Sequence, residues 1–469
     1  MTVLKALLAS LVLVVLLGVV FLVYAWRPEI PPLEADAAPS FDQALIKRGG
    51  ELAFIGNCGV CHTAEGGEFL AGGRALDTPF GKIHTTNITP DRDTGIGRWP
   101  EAAFERAMRE GVDRGGRHLY PAFPYDHFTL ISDEDNRALY AYLMSRKAVK
   151  AEAPPNELPF PLNVRLAIAG WKLLYFHEGR YQADASKSES WNRGAYLAEG
   201  LAHCGACHTP RDSLGAERKQ HHFAGAEIER WYAYAINRQS PAPVRWTEDA
   251  LAFYLRNGWH QEHGMARGPM VPVVENLSAV PEADVRAIAA YVGGETQQAA
   301  PGPLPAGNMN GAVPTQPRRQ QLASADSLIS PPPLTDADAG NPGARIYTSA
   351  CANCHESGRP LPFGGINLAL STAMHGPTPH NVVNVTLYGL PSRPGEPSPI
   401  MPGFRGSLTD AQLEALLVYL RGRFSDRPAW RDVGKIIREA RSGDTMPPLY
   451  PSPGMGTAPA DPSQKGAAW

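Results

Sequence analysis

The side chains best suited to chemistry are six cysteines, and each lies in one of three Cys-x-x-Cys-His motifs, at 58–62, 204–208 and 351–355. This pattern is the attachment signature of c-type haem: each thiol forms a thioether bond to one vinyl group, and the adjoining His binds the iron. Cysteines three residues apart share one face of a helical turn, so a single flat macrocycle reaches both. The chain therefore predicts three covalently bound haem c groups, held by Cys58, Cys61, Cys204, Cys207, Cys351 and Cys354, with His62, His208 and His355 as the proximal iron ligands.

Other uses of six cysteines fit less well. Three disulfides, or thioredoxin-like redox pairs, would not require a His after the second Cys of every motif. A Cys/His zinc site usually joins two ligand clusters within one small domain. Here Cys204 follows Cys58 by 146 residues (204 − 58), and Cys351 follows Cys204 by 147 (351 − 204). The formal net charge of −3 gives no reason to expect a nucleic-acid partner.

An electron-transfer haem usually has a sixth ligand, commonly Met or His. Met270 and Met401 lie in proline-bracketed loops, Gly-Pro-Met-Val-Pro and Pro-Ile-Met-Pro-Gly, each just before a helical pattern. We expect these two residues to be the distal ligands of the second and third haems. Met265 is a competitor for Met270, although it lacks the proline neighbours. Packing in the core as a gap-filling methionine is the alternative for Met270 and Met401.

The first repeat departs from this arrangement because Phe123 occupies the methionine position, and Phe cannot bind iron. His127 is the nearest strong ligand in the loop, so the sequence predicts it as the distal ligand of the first haem. His118 and an iron with an open sixth position remain alternatives.

The elements that must position these groups repeat with the motifs. At 469 residues the chain has room for roughly three domains of about 150 residues. Each motif follows a short helix with a Gly near its start, Gly50 and Gly343 both lying eight residues before the first Cys (58 − 50 and 351 − 343). Each repeat closes with an apolar-periodic helix in which Tyr142, Tyr291 and Tyr419 align. The prediction is an all-α fold of three small tandem domains, at 40–150, 185–295 and 336–425.

The N-terminus carries an apolar run from Ala6 to Trp26, flanked by Lys5 and Arg27. About 20 apolar residues cross a bilayer as a helix, whereas a cleaved signal has a shorter apolar core. We therefore expect residues 1–27 to be an uncleaved transmembrane anchor, with signal cleavage near Ala35–Ala37 as the alternative. Haem c attachment on the outer side of the bacterial inner membrane agrees with export of the remaining chain.

Three further segments differ in composition. Residues 296–335 are rich in Pro and Gln and predict a flexible linker, which would let the third domain move. The tail at 426–469 has one amphipathic helix pattern, near 430–441, before a Pro/Gly/Ser-rich end. The apolar stretch at 158–176 reads as packing between domains, with contact to a partner or to the membrane surface as alternatives.

The order of these motifs resembles the three-haem cytochrome c subunits of bacterial membrane-bound dehydrogenases. The resemblance covers roughly 40–425 and rests on Thr-Pro-Phe-Gly-Lys-Ile-His-Thr-Thr-Asn-Ile-Thr-Pro-Asp (78–91), Cys-Gly-Ala-Cys-His-Thr-Pro-Arg (204–211), Gly-Pro-Met (268–270), and the third haem motif with Met401. Relatives that serve quinoprotein or flavin-dependent dehydrogenases usually have Met where Phe123 stands. The Phe-Pro-Tyr-Asp-His version (123–127) is most similar to cytochromes that accompany molybdenum hydroxylases.

The resemblance implies an electron carrier with no substrate-oxidising site of its own. A separate dehydrogenase subunit, a molybdenum hydroxylase, quinoprotein or flavoprotein, would oxidise the substrate, and ubiquinone or a terminal oxidase would accept the electrons. The haem domains would lie in the periplasm, on the bacterial inner membrane. Two other functions stay open: a haem enzyme or small-ligand-binding haem protein with an open first iron, and a haem sensor or scaffold.

Overall fold

The computed structural model describes residues 2–34, 39–296, 338, 340–391 and 398–443. They form two compact units: the first comprises 1–183 and 199–203, and the second comprises 184–198 and 204–469. The first unit contains the first predicted domain, and the second unit contains the other two except for residues 199–203. The predicted linker lies outside the described residues apart from Thr296, as does the tail beyond Gly443.

The first unit begins with α1 (Thr2–Ala25), whose residues from Val3 to Ala25 have a mean hydropathy of 3.2. Among the described residues, it is the one helix long and apolar enough to cross a membrane. The domain that follows contains α2 (Gln43–Ile55), α3 (Cys58–His62), strands β1 (Ala75–Thr78) and β2 (Gly81–His84), α4 (Glu101–Glu110), α5 (Tyr125–Phe128) and α6 (Asp133–Met144). A further helix, α7 (Ala167–Tyr175), contacts α1.

The second unit contains two helical domains. The first of them has α8 (Glu189–Ala195), a π-helical turn (Tyr196–Leu201) that ends in the first unit, α9 (Gly205–His208), β3 (Ala226–Ile228), β4 (Trp231–Ala233), α10 (Glu248–Asn257), β5 (Trp259–His260), β6 (Gly264–Met265), α11 (Met270–Ser278) and α12 (Glu282–Glu295). The other has α13 (Pro342–Ala350), α14 (Ala352–His355), α15 (Thr372–His375), α16 (His380–Tyr388), α17 (Asp410–Phe424) and α18 (Val433–Ser442).

The same crossing of a first and a last helix forms the centre of each domain: α2 with α6, α8 with α12, and α13 with α17. A glycine lies at each crossing, and a Cβ there would lie 1.9 Å (Gly49), 1.8 Å (Gly194) or 2.2 Å (Gly343) from a backbone oxygen of the last helix. Tyr142, Tyr291 and Tyr419 flank the three glycines, as their sequence alignment predicts. The glycines let the two backbones approach so closely that no larger residue fits.

The structure corrects one detail of this repeat. Gly49, rather than Gly50, corresponds to Gly343, so the spacing from the glycine to the first Cys is nine, ten and eight residues in the three domains (58 − 49, 204 − 194 and 351 − 343). The π-helical turn in the second domain accommodates the longer spacing between its glycine and its first Cys. In the first domain, Asn57 adopts a left-handed conformation (φ 52°) between α2 and the haem motif.

The all-α prediction is incomplete, because each of three antiparallel hairpins forms a two-stranded sheet. Their registers pair Ala75 with His84, Ala226 with Ala233, and Trp259 with Met265. These strands have two to four residues, too few for the period-two alternation that identifies a strand in a sequence. Helices nevertheless supply the core of every domain.

The second and third domains are joined by direct hydrogen bonds. The Asn381 side chain accepts from the backbone N–H of Tyr232 (2.8 Å) and donates to its carbonyl (2.9 Å), and Asn384 donates to the carbonyl of Arg230 (3.0 Å). These contacts join the third domain to the second, and the flexible linker stays a prediction. The predicted boundary at 425 is also too early, since α18 buries Ile436 and Ile437 in the core of the third domain.

Candidate haem centres

Each Cys-x-x-Cys-His motif forms a short helical turn in α3, α9 or α14. The six cysteines all lie in the described residues and form no disulfide with one another, so the disulfide alternative is not realised. Burial, reinforced by the neighbouring Cys61, raises the pKa of Cys58 to about 12, and burial raises the pKa of Cys351 to about 11. A thioredoxin-like redox pair requires a lowered thiol pKa, so these surroundings disfavour that alternative as well.

The three motif histidines share one hydrogen-bond arrangement. The Nδ1 atom of each ring lies 2.6–2.7 Å from a backbone carbonyl oxygen: His62 with Thr86, His208 with Tyr234, and His355 with Ile366. A carbonyl in this position fixes the tautomer with the proton on Nδ1, and it orients Nε2 as the metal-binding nitrogen. Burial lowers the pKa of all three rings, which favours the neutral imidazole that binds iron. These residues therefore fit the proximal side of a haem c site.

Two of the hairpins explain how the carbonyl reaches its histidine. Thr86 lies two residues after the end of β2, and Tyr234 immediately follows β4. In the third domain Ile366 lies in a loop outside the named strands. A backbone acceptor has no side-chain signature, which is why the sequence did not reveal these partners. The Ile-His-Thr-Thr-Asn stretch at 83–87 was the one available signal, since it contains the acceptor of the first motif.

The loops of the two predicted distal methionines are each fixed by a glycine with positive φ. Gly268 (φ 57°) lies against the Trp231 ring, where a Cβ would approach to 2.5 Å, and Met270 begins α11 two residues later. Gly389 (φ 70°) lies against the carbonyl of Met401, which pairs with Leu390 through two backbone hydrogen bonds of 2.8 and 3.0 Å. Met270, Met401 and the competitor Met265 are all half-buried. The assignment of Met270 and Met401 to iron stays a prediction.

Backbone register supports the equivalence of Phe123 and Met270. The backbone N–H of Leu119 donates to the carbonyl of Gly111, and that of Ala266 donates to the carbonyl of Gly258, each at 2.8 Å. Gly111 and Gly258 are the C-caps of α4 and α10, so each bond closes the segment that follows its helix. Phe123 and Met270 each lie four residues beyond that bond. The Phe123 ring packs edge-on against Phe128, with 5.2 Å between the ring centroids.

The two candidate histidines of the first domain have different surroundings. His127 is buried in α5, and its Nδ1 lies 2.6 Å from the carbonyl of Glu199, the same contact that the three motif histidines make. His118 is also buried, but its Nε2 lies 2.8 Å from the carbonyl of Ala25 and its Nδ1 lies 3.2 Å from the Lys172 amine. Both ring nitrogens of His118 are thus engaged at the end of α1, which disfavours it as a ligand relative to His127.

Comparison with known proteins agrees with the haem assignment. A family model described as "Cytochrome c" matches residues 46–147, and one described as "Cytochrome C oxidase, cbb3-type, subunit III" matches 338–420. Cytochrome c domains carry covalently bound haem c, so the two matched domains fit the thiols and histidines at 58–62 and 351–355. Neither matched range includes the second domain, whose helix crossing and His208 contact repeat those of the other two.

Several curated proteins are similar over most of this chain. It is 42% identical to one subunit of the nicotinate dehydrogenase of Pseudomonas putida over 91% of its own length, but it spans 34% of that relative. It is 35% identical to the fructose dehydrogenase cytochrome subunit of Gluconobacter japonicus, covering 86% of that protein. It is also 35% identical to the gluconate 2-dehydrogenase cytochrome c subunit of Pantoea cypripedii, covering 91%. At this identity and coverage, the chain belongs to the family of cytochrome c subunits of membrane-bound dehydrogenases.

Proposed function

We propose that the chain is a three-haem electron carrier that accepts electrons from a separate dehydrogenase subunit and delivers them to ubiquinone or a terminal oxidase. Haem c, when bound, supplies one-electron redox chemistry. The chain contributes three anchoring sites, three oriented histidines and the loops that contain Met270 and Met401. The observation that supports three haems, rather than the two matched domains alone, is the identical contact of His62, His208 and His355 with a backbone carbonyl.

The proposed location is the periplasmic face of a bacterial inner membrane. Its support is the apolar helix α1, which we propose to remain uncleaved as the anchor, together with relatives that serve membrane-bound dehydrogenases. For the catalytic partner we propose a molybdenum hydroxylase that oxidises an aldehyde or an N-heteroaromatic compound. The support is the Phe123–His127 loop, together with the greater identity to the nicotinate relative (42%) than to the fructose and gluconate relatives (35%).

Haem content provides the first test. The intact mass of the purified protein should exceed that of the polypeptide by three haems, and Cys204→Ala with Cys207→Ala should remove one haem while the others stay attached. A wild-type protein with two haems and free thiols at 204 and 207 would reject the three-haem proposal. Co-purification of the membrane complex, followed by identification of its largest subunit and by assay of ubiquinone reduction, tests the partner and the acceptor.

The first haem separates this proposal from its rival. If His127 is its distal ligand, all three haems are six-coordinate and low-spin, and the first titrates at a lower potential than the two with Met ligands, because Met ligation raises the potential. His127→Ala should then convert the first haem to high spin and leave the near-infrared Met–iron band unchanged. An open first iron, which Phe123 in the methionine position favours, would instead give a high-spin fraction and carbon monoxide binding in the wild type.

A further inference from the structure

We propose that residues 158–176, here termed the juxtamembrane segment, rest in the interfacial region of the lipid bilayer beside α1. The segment contains α7 and the loop that leads into it. It lies wholly within the first unit, as does α1. The inference rests on the proposed uncleaved anchor and adds a second membrane contact to it.

The first observation is an exposed apolar face. Phe160, Leu173 and Leu174 are 82%, 64% and 65% exposed, and Leu162, Val164 and Leu166 are exposed to a lesser degree. Solvent-exposed apolar side chains concentrated in one short segment usually mark a surface that another phase or molecule covers. The exposure of these six side chains favours the membrane-surface alternative for this stretch over packing between domains.

The second observation is continuity with the spanning helix. The helix α7 contacts α1, and a Cβ at Gly170 would lie 3.7 Å from the Phe21 ring, which is van der Waals contact. Phe21 precedes the end of α1 at Ala25 by four residues, which is about 6 Å along a helix axis. Amphipathic helices at a membrane surface bury their apolar face about 5–10 Å into the interface. The position of α7 along α1 matches that depth.

The third observation is that the protein fixes the orientation of α7. The Lys172 amine is buried, and it donates to the carbonyls of Glu110 and Gly111, the latter at 2.7 Å. Lys172 also contacts His118, whose ring bonds the carbonyl of Ala25 at the end of α1. Because Lys172 is held inward, its neighbours Leu173 and Leu174 are held outward, and α7 cannot rotate to bury them.

Charge distinguishes lipid from a protein partner as the occupant. Residues 158–176 contain no Asp or Glu, and their two basic side chains are Arg165 and the buried Lys172. Trp171 and Tyr175 pack together with 5.3 Å between their ring centroids. An apolar surface without acids, with Trp and Tyr beside a spanning helix, is the composition expected at the level of lipid headgroups.

The test uses the full-length, haem-loaded protein in vesicles of phosphatidylethanolamine and phosphatidylglycerol that include a lipid with a photoactivatable diazirine in its acyl chain. After illumination, mass spectrometry should find lipid adducts on α1 and on peptides from 158–176. The double variant Leu173→Glu/Leu174→Glu should lose at least five-fold of the label on 158–176 and retain the label on α1. A matched control, Phe363→Glu/Val418→Glu, changes two exposed apolar residues (76% and 56%) of the third domain and should leave the labelling unchanged.

Three outcomes would overturn the inference. Label on α1 without label on 158–176 would reject this inference and leave the anchor in place. Protection of 158–176 only when the catalytic subunit is bound would identify a protein as the occupant. Absence of α1 from the mature protein, seen in its intact mass, would reject the anchor and this inference together. Because the wild-type labelling needs no substitution, the test remains valid if the double variant misfolds, and Phe160→Ser provides a milder change.

Discussion

The helix crossing at Gly343 gives a sharp prediction about stability. Substitution by Ala places a Cβ 2.2 Å from the carbonyl oxygen of Ala415 and 2.7 Å from the Cβ of Tyr419. Non-bonded carbon atoms prefer about 3.5–4.0 Å, so α13 and α17 must separate by about 1 Å. This separation loosens the contacts of Ala344 and Tyr347 with the core of the third domain. Overpacking costs about 1–3 kcal/mol, and we expect the upper value because the obstacle is a helix backbone.

Gly422 provides a matched control in the same domain. It lies within α17, and a Cβ there meets nothing within 4 Å. Gly422→Ala should therefore stabilise the domain by up to about 1 kcal/mol through helix propensity alone. The same chemical change should thus have opposite signs at the two positions, with a difference of about 4 kcal/mol.

Hydrogen exchange of the full-length, haem-loaded protein measures this difference. A difference of about 4 kcal/mol corresponds to roughly a thousand-fold change in the opening equilibrium of α13 and α17, since each 1.4 kcal/mol is tenfold. The exchange of α2 and α6 in the first domain serves as an internal standard. If the exchange protection of α13 in Gly343→Ala and in Gly422→Ala agrees within a factor of three, Gly343 does not lie against the backbone of α17.

Two further predictions concern contacts outside the helix crossings. Asn381→Ala removes both hydrogen bonds to Tyr232, and Asn381→Asp serves as the control because it retains one acceptor. We expect Asn381→Ala to lower the free energy needed to separate the second and third domains by about 1–3 kcal/mol. Faster hydrogen exchange in β4 would measure this loss. Burial lowers the pKa of Lys172 to about 7, so from pH 7 to 10 the unfolded chain holds a proton that the folded chain has lost, and stability rises with pH. Between pH 7 and 10, the free energy of unfolding of the first unit, measured in guanidinium, should therefore rise by roughly 4 kcal/mol more in the wild type than in Lys172→Met. Equal pH dependence of the two proteins would contradict the burial of this amine.

The sequence predicted the helices well because their signals are local. Ser132 and Thr409, residue types that favour the N-cap position, cap α6 and α17, and Thr409 forms a full capping box with Gln412. The glycine register was less accurate, since counting back from the cysteines selected Gly50 where the structure has Gly49 at the crossing. A count along the chain assumes equal helix geometry, and the π-helical turn and the left-handed Asn57 break that assumption.

The parts that the sequence did not reveal depend on backbone atoms or on contacts between distant segments. The carbonyls of Thr86, Tyr234 and Ile366 hold the three histidines, yet any residue type could supply a carbonyl. The buried position of Lys172 was equally hidden, because a lysine in an apolar stretch usually extends toward solvent. Its partners lie in α4 and at His118, more than 50 residues earlier in the chain.

The departure of the first domain from the methionine pattern has a structural explanation in these same contacts. In that domain the Tyr125 ring covers Gly111 so closely that a Cβ there would approach to 2.4 Å, whereas the corresponding Gly258 of the second domain is followed by the hairpin of β5 and β6. Lys172 lies 4.6 Å from the centre of the Tyr125 ring and donates to the carbonyl of Gly111. The loop that should present a methionine is thus the loop that holds α7 and, through His118, the end of α1. The contacts of Gly111, Lys172 and His118 thus give this segment of the first domain a second role, and it is in this segment that Phe123 stands in the methionine position.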